Sequence, residues 1–295
     1  MSYELAALGA ALCWSVTGII STGPARHLGG IAFTRIRMTI VFVIMLVWLA
    51  WHGSFESIPR DQLQVVLWSG LIGIFLGDTA LFTSMTRLGP RRTGILFASN
   101  APMTVVIGWF WFGEALSLNE ALGCVLVMAG VAIAIGYNQP RSGHRLESLH
   151  GSLVAGVALG LFAALCQAVG ALMNKPALAA GADPVAITTL RIGIAALALH
   201  VANLLPIRVQ KVRNPITPRV LALTTLTGMV GMALAMSLLM YAYGAGNAGI
   251  AAILSSVSPV LVLPVLWLVT RKPPTAAAWL GALLCVCGTV FILQH

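Results

Sequence analysis

The chain has 295 residues, of which 59% are apolar and only 8% are charged. Because about 25% of the residues in a soluble globular domain are charged, this composition excludes a water-soluble enzyme. The net charge of +9 would suggest nucleic-acid binding in a soluble protein, but here we assign the basic residues to loops that anchor an integral membrane protein.

Apolar stretches of about 20 residues, the length that crosses a bilayer as a helix, occur ten times along the chain. The longest connection, 138 to 151, is too short to fold alone. The first stretch has no preceding Lys or Arg, unlike a cleavable signal peptide. We therefore predict an all-α integral membrane fold with ten transmembrane helices, which cover residues 3–21, 32–52, 63–87, 92–112, 118–137, 152–173, 184–205, 220–243, 248–269 and 276–293.

Lys and Arg fall mainly on one face of the predicted bundle. Fourteen of the 17 lie in the loops after predicted helices 1, 3, 5, 7 and 9 or at the start of helix 2. The opposite loops carry only Arg60 and Lys175, and Arg191 lies within helix 7. Since basic loops stay in the cytoplasm, both termini are predicted to lie outside.

The two halves of the sequence repeat weakly but in the same order. The matched positions are Ala10 to Cys13 with Ala163 to Cys166, Arg37 with Arg191, Pro102 with Pro259, Gly123 with Gly281 and Gly130 with Gly288. Each half contains five predicted spans, and because five is odd, the second repeat must be inverted. We therefore divide the chain into a first repeat at 1–137, a connecting loop at 138–151 and a second repeat at 152–295.

Inverted repeats of this kind predict alternating access. Two similar halves can exchange conformations and so move the opening of a shared cavity from one face to the other. The alternative is that duplication merely built a stable bundle. Predicted helices 5 and 10 carry the glycine pairs, and we interpret them as scaffold that packs closely rather than as cavity wall.

Charged residues inside predicted helices are costly and mark either structural pairs or functional sites. Asp78 lies about 13 Å from the cytoplasmic end of helix 3 and Arg37 about 8 Å from the same face, so an ion pair with a structural, gating or proton-linked role is predicted. Arg191 is the repeat counterpart of Arg37, but Ala235 replaces the carboxylate. A ligand carboxylate could pair with Arg191, and Glu114 could also reach it.

Polar and aromatic side chains near mid-span supply further candidates for a cavity. Trp14 and its repeat counterpart Gln167 occupy the middle of helices 1 and 6, and Tyr241 is favoured over Tyr243 in helix 8. Serine and asparagine residues next to Pro102 and Pro259 suit either hinges or ligands. The candidate substrate-binding residues are Trp14, Asn100, Gln167, Arg191, Tyr241, Ser255 and Ser256. The five cysteines lack zinc-site spacing, so neither a metal nor a cofactor is predicted.

This order of motifs resembles the EamA-like exporters of the drug/metabolite transporter superfamily. The likeness covers nearly the whole chain and is carried by Leu12 to Ser15, Arg37 and Arg191, Pro102 and Pro259, and Gly113 to Ser117 with Gly123 and Gly130. It implies ten helices in the cell inner membrane, a cavity formed by helices 1 to 4 and 6 to 9, and export of amino acids or related metabolites without ATP hydrolysis. The aromatic amino-acid type is favoured because Trp14 and Tyr241 could stack on such a side chain.

Three alternatives follow from the same residues. Multidrug or other metabolite efflux stays open, although the glutamate that small multidrug members carry in helix 1 is absent here. An intramembrane enzyme acting on lipid-linked substrates would need positioned titratable groups, whereas Asp78 is the only predicted mid-membrane carboxylate. A passive channel would need a charged ring or a carbonyl filter.

The expected partners are a small-molecule substrate and the lipid bilayer, with no nucleic acid. The fusion of both halves in one chain favours a functional monomer.

Overall fold

The computed structural model describes residues 2–52, 54–88, 93, 96–137, 152–204, 211–258, 260–261 and 276–293. All of the regular secondary structure in these ranges is helical. The predicted connecting loop at 138–151 and Pro259 lie outside the described residues.

The first half contains helices at each stretch predicted there. They are α1 (Tyr3–Leu28), α2 (Gly30–His52), α3 (63–88), α4 (Asn100–Phe112) and α5 (Leu118–Tyr137), with a short 3₁₀ helix at Ser54–Ser57. Helix α3 is composite, because a π-helical segment, Leu71–Leu76, separates the α-helical parts Leu63–Gly70 and Gly77–Leu88.

The described part of the second half also has five main helices, but its short helix follows the first of them rather than the second. They are α6 (Leu153–Leu172), a short helix at Lys175–Ala179, α7 (Pro184–Ala202), α8 (218–245), α9 (Ala248–Ser255) and α10 (Ala276–Leu293). Helix α8 is composite in the same way as α3, with the π segment Met229–Leu234 between Pro218–Gly228 and Ala235–Ala245.

Local sequence accounts for several helix ends. The side chains of Ser152, Thr217 and Asn247 each accept a hydrogen bond from a backbone N–H in the first turn of α6, α8 and α9. Gly29, with φ of 89°, allows the sharp turn between α1 and α2, and Gly113, with φ of 66°, ends α4 in the left-handed conformation.

The chain is a multi-pass membrane protein. Within the described ranges, six helical stretches are long and apolar enough to cross a bilayer, and three shorter apolar helices accompany them. Large apolar side chains on the outside, including Val106, Phe110, Val125, Val154 and Leu283, are 59–80% exposed. Because such a surface is unfavourable in water, lipid is its natural surroundings.

Two faces of the bundle can be distinguished by contacts between its turns. At one face, which we call the basic face, the α1–α2 turn meets the segment before α8, where the Arg213 N–H donates to the Leu28 carbonyl at 3.0 Å. At the other, the Glu114 face, the turns after α4, α6 and α8 meet around Glu114.

Contacts between the halves come in matched pairs. A Cβ built on Gly73 in α3 would lie 3.2 Å from Gly170 in α6, and one built on Gly231 in α8 would lie 2.8 Å from Thr17 in α1. Gly73 and Gly231 are equivalent positions of the two π segments, which begin 158 residues apart.

Helices α5 and α10 pack against each other through their glycines. A Cβ on Gly123 would lie 2.7 Å from the Gly288 carbonyl oxygen, and one on Gly130 would lie 2.5 Å from that of Gly281. Residue numbers therefore rise along one helix as they fall along the other, so the two helices are antiparallel. Glycine at these positions is required by the close approach of the two backbones.

Candidate functional site

A cavity of about 370 Å³ lies between the two halves, halfway along the helices. Its walls come from α1, α2, α3, α4, α6, α8 and α9. A volume of this size lies at the lower end of the range typical of small-molecule sites, which runs from about 300 to 1,000 Å³. The site is therefore suited to a ligand no larger than a small metabolite.

The cavity brings together most of the residues singled out from the sequence. Those that line it are Trp14, Arg37, Asp78, Asn100, Gln167, Ser255 and Ser256. Trp14 and Gln167, which the sequence repeat pairs, both contribute to the wall.

The indole of Trp14 is fixed by a hydrogen bond across the two halves. Its Nε1–H donates to the carbonyl of Gly231 at 2.7 Å. Gly231 lies in the π segment of α8, and π turns free backbone carbonyls from the ordinary helical pattern. Trp14 is thereby held as a rigid, mostly apolar surface on the cavity wall.

The amide and hydroxyl groups of the cavity donate to their own helices. Asn100 Nδ2 donates to the Phe97 carbonyl at 2.7 Å, and the Ser255 and Ser256 hydroxyls each donate to the Ala252 carbonyl at 2.9 Å. Their oxygens keep acceptor capacity for a ligand.

Pro102 lies beside an interruption in the helix rather than on the cavity. It is the third residue of α4, three residues after the cap residue Ser99, and its side chain is exposed. At this position the missing N–H costs little, because the first helical turn has no internal partner for it. The second predicted hinge residue, Pro259, lies outside the described residues.

Arg37 and Asp78 both line the cavity, but the predicted ion pair between them is not formed within 4.0 Å. The Arg37 guanidinium instead lies over the Phe33 ring, 5.0 Å from its centroid, and its Nε has no hydrogen-bond partner. The two charges still attract each other at longer range. The cavity therefore receives a cation and an anion that do not form an ion pair with each other.

Arg191 and Tyr241 are not among the cavity-lining residues. Arg191 is only 1% exposed, whereas Tyr241 is 36% exposed on the outside of α8. Tyr243 lines the cavity instead, on the same helical face as Met232, Met236 and Leu239. Residues two positions apart on a helix point about 200° apart, so the two tyrosines cannot share a face.

The sequence interpretation missed the apolar part of the cavity. Ile74, Leu81, Phe97, Met232, Met236 and Leu239 cover much of its wall. On α8 the spacing of Met232, Met236, Leu239 and Tyr243 was the available signal, since positions separated by four, three and four residues lie on one face of a helix. In an almost wholly apolar segment the other faces of the helix are apolar as well, so this periodicity does not distinguish the cavity face from them.

Glu114 is part of an ion pair at the Glu114 face, and its partner is Lys175 rather than the predicted Arg191. The other carboxylate oxygen, Oε2, accepts from the N–H of Ala248 at the start of α9 at 2.9 Å. Lys175 Nζ also donates to the Gly246 carbonyl at 3.1 Å and lies 5.6 Å from the centre of the Phe112 ring. These contacts join the ends of α4, α6, α8 and α9 beyond the cavity.

Comparison with known proteins then identifies the family. The model of the EamA-like transporter family matches residues 1–136 and again 154–294. The chain belongs to the EamA-like transporter family. One match lies in each half of this EamA-like chain.

Relatives of this EamA-like transporter agree with that assignment. An "Uncharacterized transporter" of Archaeoglobus fulgidus is 26% identical over 135 residues, which cover 45% of this chain and 48% of that protein. The match thus spans about half the length of that relative. A solved crystal structure, with 18% identity, covers 99% of this chain and 96% of its own at a TM-score of 0.79, so the two share the fold.

The family is one of transporters, which move a substrate across a bilayer without altering it. Within the described part of the chain, no group of three or more His, Cys, Asp or Glu side chains is arranged to hold a metal ion.

Proposed function

We propose that this EamA-like transporter exports neutral amino acids, aromatic ones included, by alternating access. One observation carries the proposal: a small cavity at mid-depth presents a guanidinium, Arg37, and a carboxylate, Asp78, that are not paired with each other. An α-amino acid carries the complementary charges on one carbon atom. Charge-assisted hydrogen bonds to both groups would satisfy residues that are otherwise costly inside a membrane.

The rest of the cavity suits the side chain of such a substrate. The indole of Trp14, held by Gly231, and the apolar residues Met232, Met236 and Leu239 offer an adaptable surface for aromatic or thioether groups. Gln167 and the serines of α9 supply polar contacts near the same wall. Size and polarity together favour a single free amino acid over a bulky drug.

Alternating access is supported by the matched contacts between the halves. Helices α5 and α10 are equivalent in the sequence repeat and pack antiparallel, as inverted repeats require. The π segments of α3 and α8 lie at equivalent positions, and both border the cavity through Ile74, Gly231 and Met232. We infer two inverted five-helix repeats that can exchange conformations, with a functional monomer because one chain supplies both halves.

The described conformation has an asymmetric cavity. Arg37 and Phe97 line it on the side of the basic face, whereas their counterparts Arg191 and Leu254 are buried toward the Glu114 face. The Glu114–Lys175 pair lies beyond that buried part. We infer that this conformation admits substrate from the basic face, which the charge distribution assigns to the cytoplasm of the inner membrane.

Efflux from proteoliposomes tests the proposal. Purified protein would be reconstituted with labelled phenylalanine, tryptophan, threonine or methionine inside, and exit would be measured against concentration. Saturable exit of at least one of these amino acids is expected, with the aromatic ones strongest. Absence of saturable exit for the whole set, from protein that retains its helical content, would refute the proposal.

A further inference from the structure

Arg37 and Arg191 occupy equivalent positions in the two halves and share a local pattern. Each follows a threonine by three residues, as Thr34 and Arg37 in α2 and as Thr188 and Arg191 in α7. Residues three apart lie on the same side of a helix. In both pairs the threonine Oγ1 and the arginine Nε are buried without a hydrogen-bond partner.

Both arginines also lie against glycines in the third helix of the other half. A Cβ on Gly228 of α8 would lie 3.0 Å from Arg37 Cγ, and one on Gly70 of α3 would lie 2.7 Å from Arg191 Cα. Gly70 and Gly228 each immediately precede the π segment of their helix. The two arginines therefore have equivalent neighbours in the helices that border the cavity.

The two guanidinium groups differ in their exposure and in their partners. Arg37 reaches the cavity, whereas Arg191 is 1% exposed and its Nη1 has only the Met240 sulfur, at 3.3 Å, as a partner. A thioether is a weak acceptor, and Arg191 Nε and Nη2 have none. A guanidinium buried for stability alone would be expected to find an oxygen partner, because an unpaired buried charge is costly.

Arg191 nevertheless lies close to the cavity wall. It interacts electrostatically with Tyr243, whose side chain lines the cavity. A Cβ on Gly73, in the π segment of α3, would lie 3.1 Å from Arg191 Nη2. The guanidinium thus packs against the π segment of α3, whose next residue, Ile74, lines the cavity.

We infer that Arg191 is a second carboxylate-binding subsite, closed in this conformation and opened when the halves exchange conformations. This inference rests on the proposed alternating-access function. If each half adopts the conformation of the other, Arg191 reaches the cavity as Arg37 does here, and Arg37 becomes buried. A carboxylate substrate would thus be bound by Arg37 from the basic face and by Arg191 from the Glu114 face.

Transport measured separately from each face tests the two subsites. Phenylalanine uptake would be followed in vesicles of both orientations for the wild type, Arg37→Gln and Arg191→Gln. We expect Arg37→Gln to raise the half-saturation concentration at least about tenfold from the basic face and less than about twofold from the Glu114 face. Arg191→Gln should do the reverse, and Arg191→Lys, which keeps the charge, should lie between Arg191→Gln and the wild type.

A change of equal size from both faces, or none for Arg191→Gln, would overturn the inference. Thiol labelling supplies a second measurement that keeps both arginines and needs no substrate. A negatively charged, membrane-impermeant reagent should modify Leu254→Cys, at the buried counterpart of Phe97, only from the Glu114 face, as read by peptide mass spectrometry. The comparison variant Phe97→Cys, at a residue that lines the cavity, should react only from the basic face.

The labelling result separates the two proposals. If the wild type carries no amino acid but Leu254→Cys is modified only from the Glu114 face, the substrate assignment fails and alternate exposure at this position stands. If phenylalanine is carried but Leu254→Cys is unreactive from the Glu114 face, the opening that would expose the second subsite is wrong and the transport of phenylalanine stands.

Discussion

The ion pair between Lys175 and Glu114 should stabilise the conformation that is closed at the Glu114 face. The side chains of the two residues are 17% and 11% exposed, and they connect turns that follow α4 and α6. Opening this face would separate those turns. The variant Lys175→Met removes the cation while keeping a side chain of similar length, so it should shift the protein toward the open conformation.

The size of the shift follows from the contacts that are lost. Lys175 pairs with Glu114 and donates to the Gly246 carbonyl, and charge-assisted hydrogen bonds of this kind each contribute about 1.5–3 kcal/mol. Since about 1.4 kcal/mol corresponds to a tenfold change in an equilibrium constant, loss of one such contact should change the ratio of conformations about tenfold to a hundredfold. Removing both charges in Glu114→Gln/Lys175→Met should shift it less than Lys175→Met alone, because no unpaired carboxylate remains.

Two introduced cysteines report the shift in opposite directions. Leu254→Cys replaces a fully buried residue, and its repeat counterpart Phe97→Cys replaces one that lines the cavity. Adding Lys175→Met should accelerate labelling at position 254 from the Glu114 face and slow labelling at position 97 from the basic face. Arg60→Met, which removes an exposed charge before α3, is the matched control and should change neither rate. Unchanged rates with Lys175→Met would refute the reasoning.

Three other predictions follow from individual contacts. Gly130→Ala would place its Cβ 2.5 Å from the Gly281 carbonyl oxygen. This clash should destabilise the protein by about 1–3 kcal/mol and lower its melting temperature. The control Gly18→Ala adds a Cβ that meets open space, so it should leave the melting temperature unchanged. Trp14→Phe removes an indole hydrogen bond of 2.7 Å and should cost about 0.5–1.5 kcal/mol, measured by thermal unfolding. Asp78→Asn should weaken phenylalanine transport much more than that of its deaminated analogue, and equal weakening would exclude ammonium recognition.

Helix positions were largely predictable because length and hydropathy determine them. The predicted span at 118–137 coincides with α5, and the predicted span at 276–293 coincides with α10. Glycines at a spacing of seven also pointed correctly to close packing of these two helices. Such features depend on residues close together in sequence, or on a repeat that is visible in it.

The π segments of α3 and α8 could not be predicted in this way. They lie within apolar stretches and differ from an α-helix only in hydrogen-bond register, which composition does not encode. Their effect on the site is nevertheless direct, because the Gly231 carbonyl holds Trp14. The same shift of register helps determine which α8 side chains reach the cavity.

The partners of the charged residues could also not be predicted from the sequence pattern. Lys175 and Glu114 lie in separate turns 61 residues apart, so only the folded arrangement makes them neighbours. Arg37 and Asp78 both line the cavity, but depth along a helix does not determine the distance between two side chains on different helices. Pairing therefore depended on how the helices pack, which no local signal specified.

A counterflow assay tests alternating access through the cavity most directly, because it distinguishes a carrier from a channel. Proteoliposomes loaded with excess unlabelled phenylalanine would be diluted into a trace of labelled phenylalanine. A carrier that exposes one cavity alternately should accumulate label transiently above its equilibrium level, and Arg37→Gln should reduce this accumulation. Label that only approaches equilibrium, with or without internal phenylalanine, would contradict alternating access through the cavity.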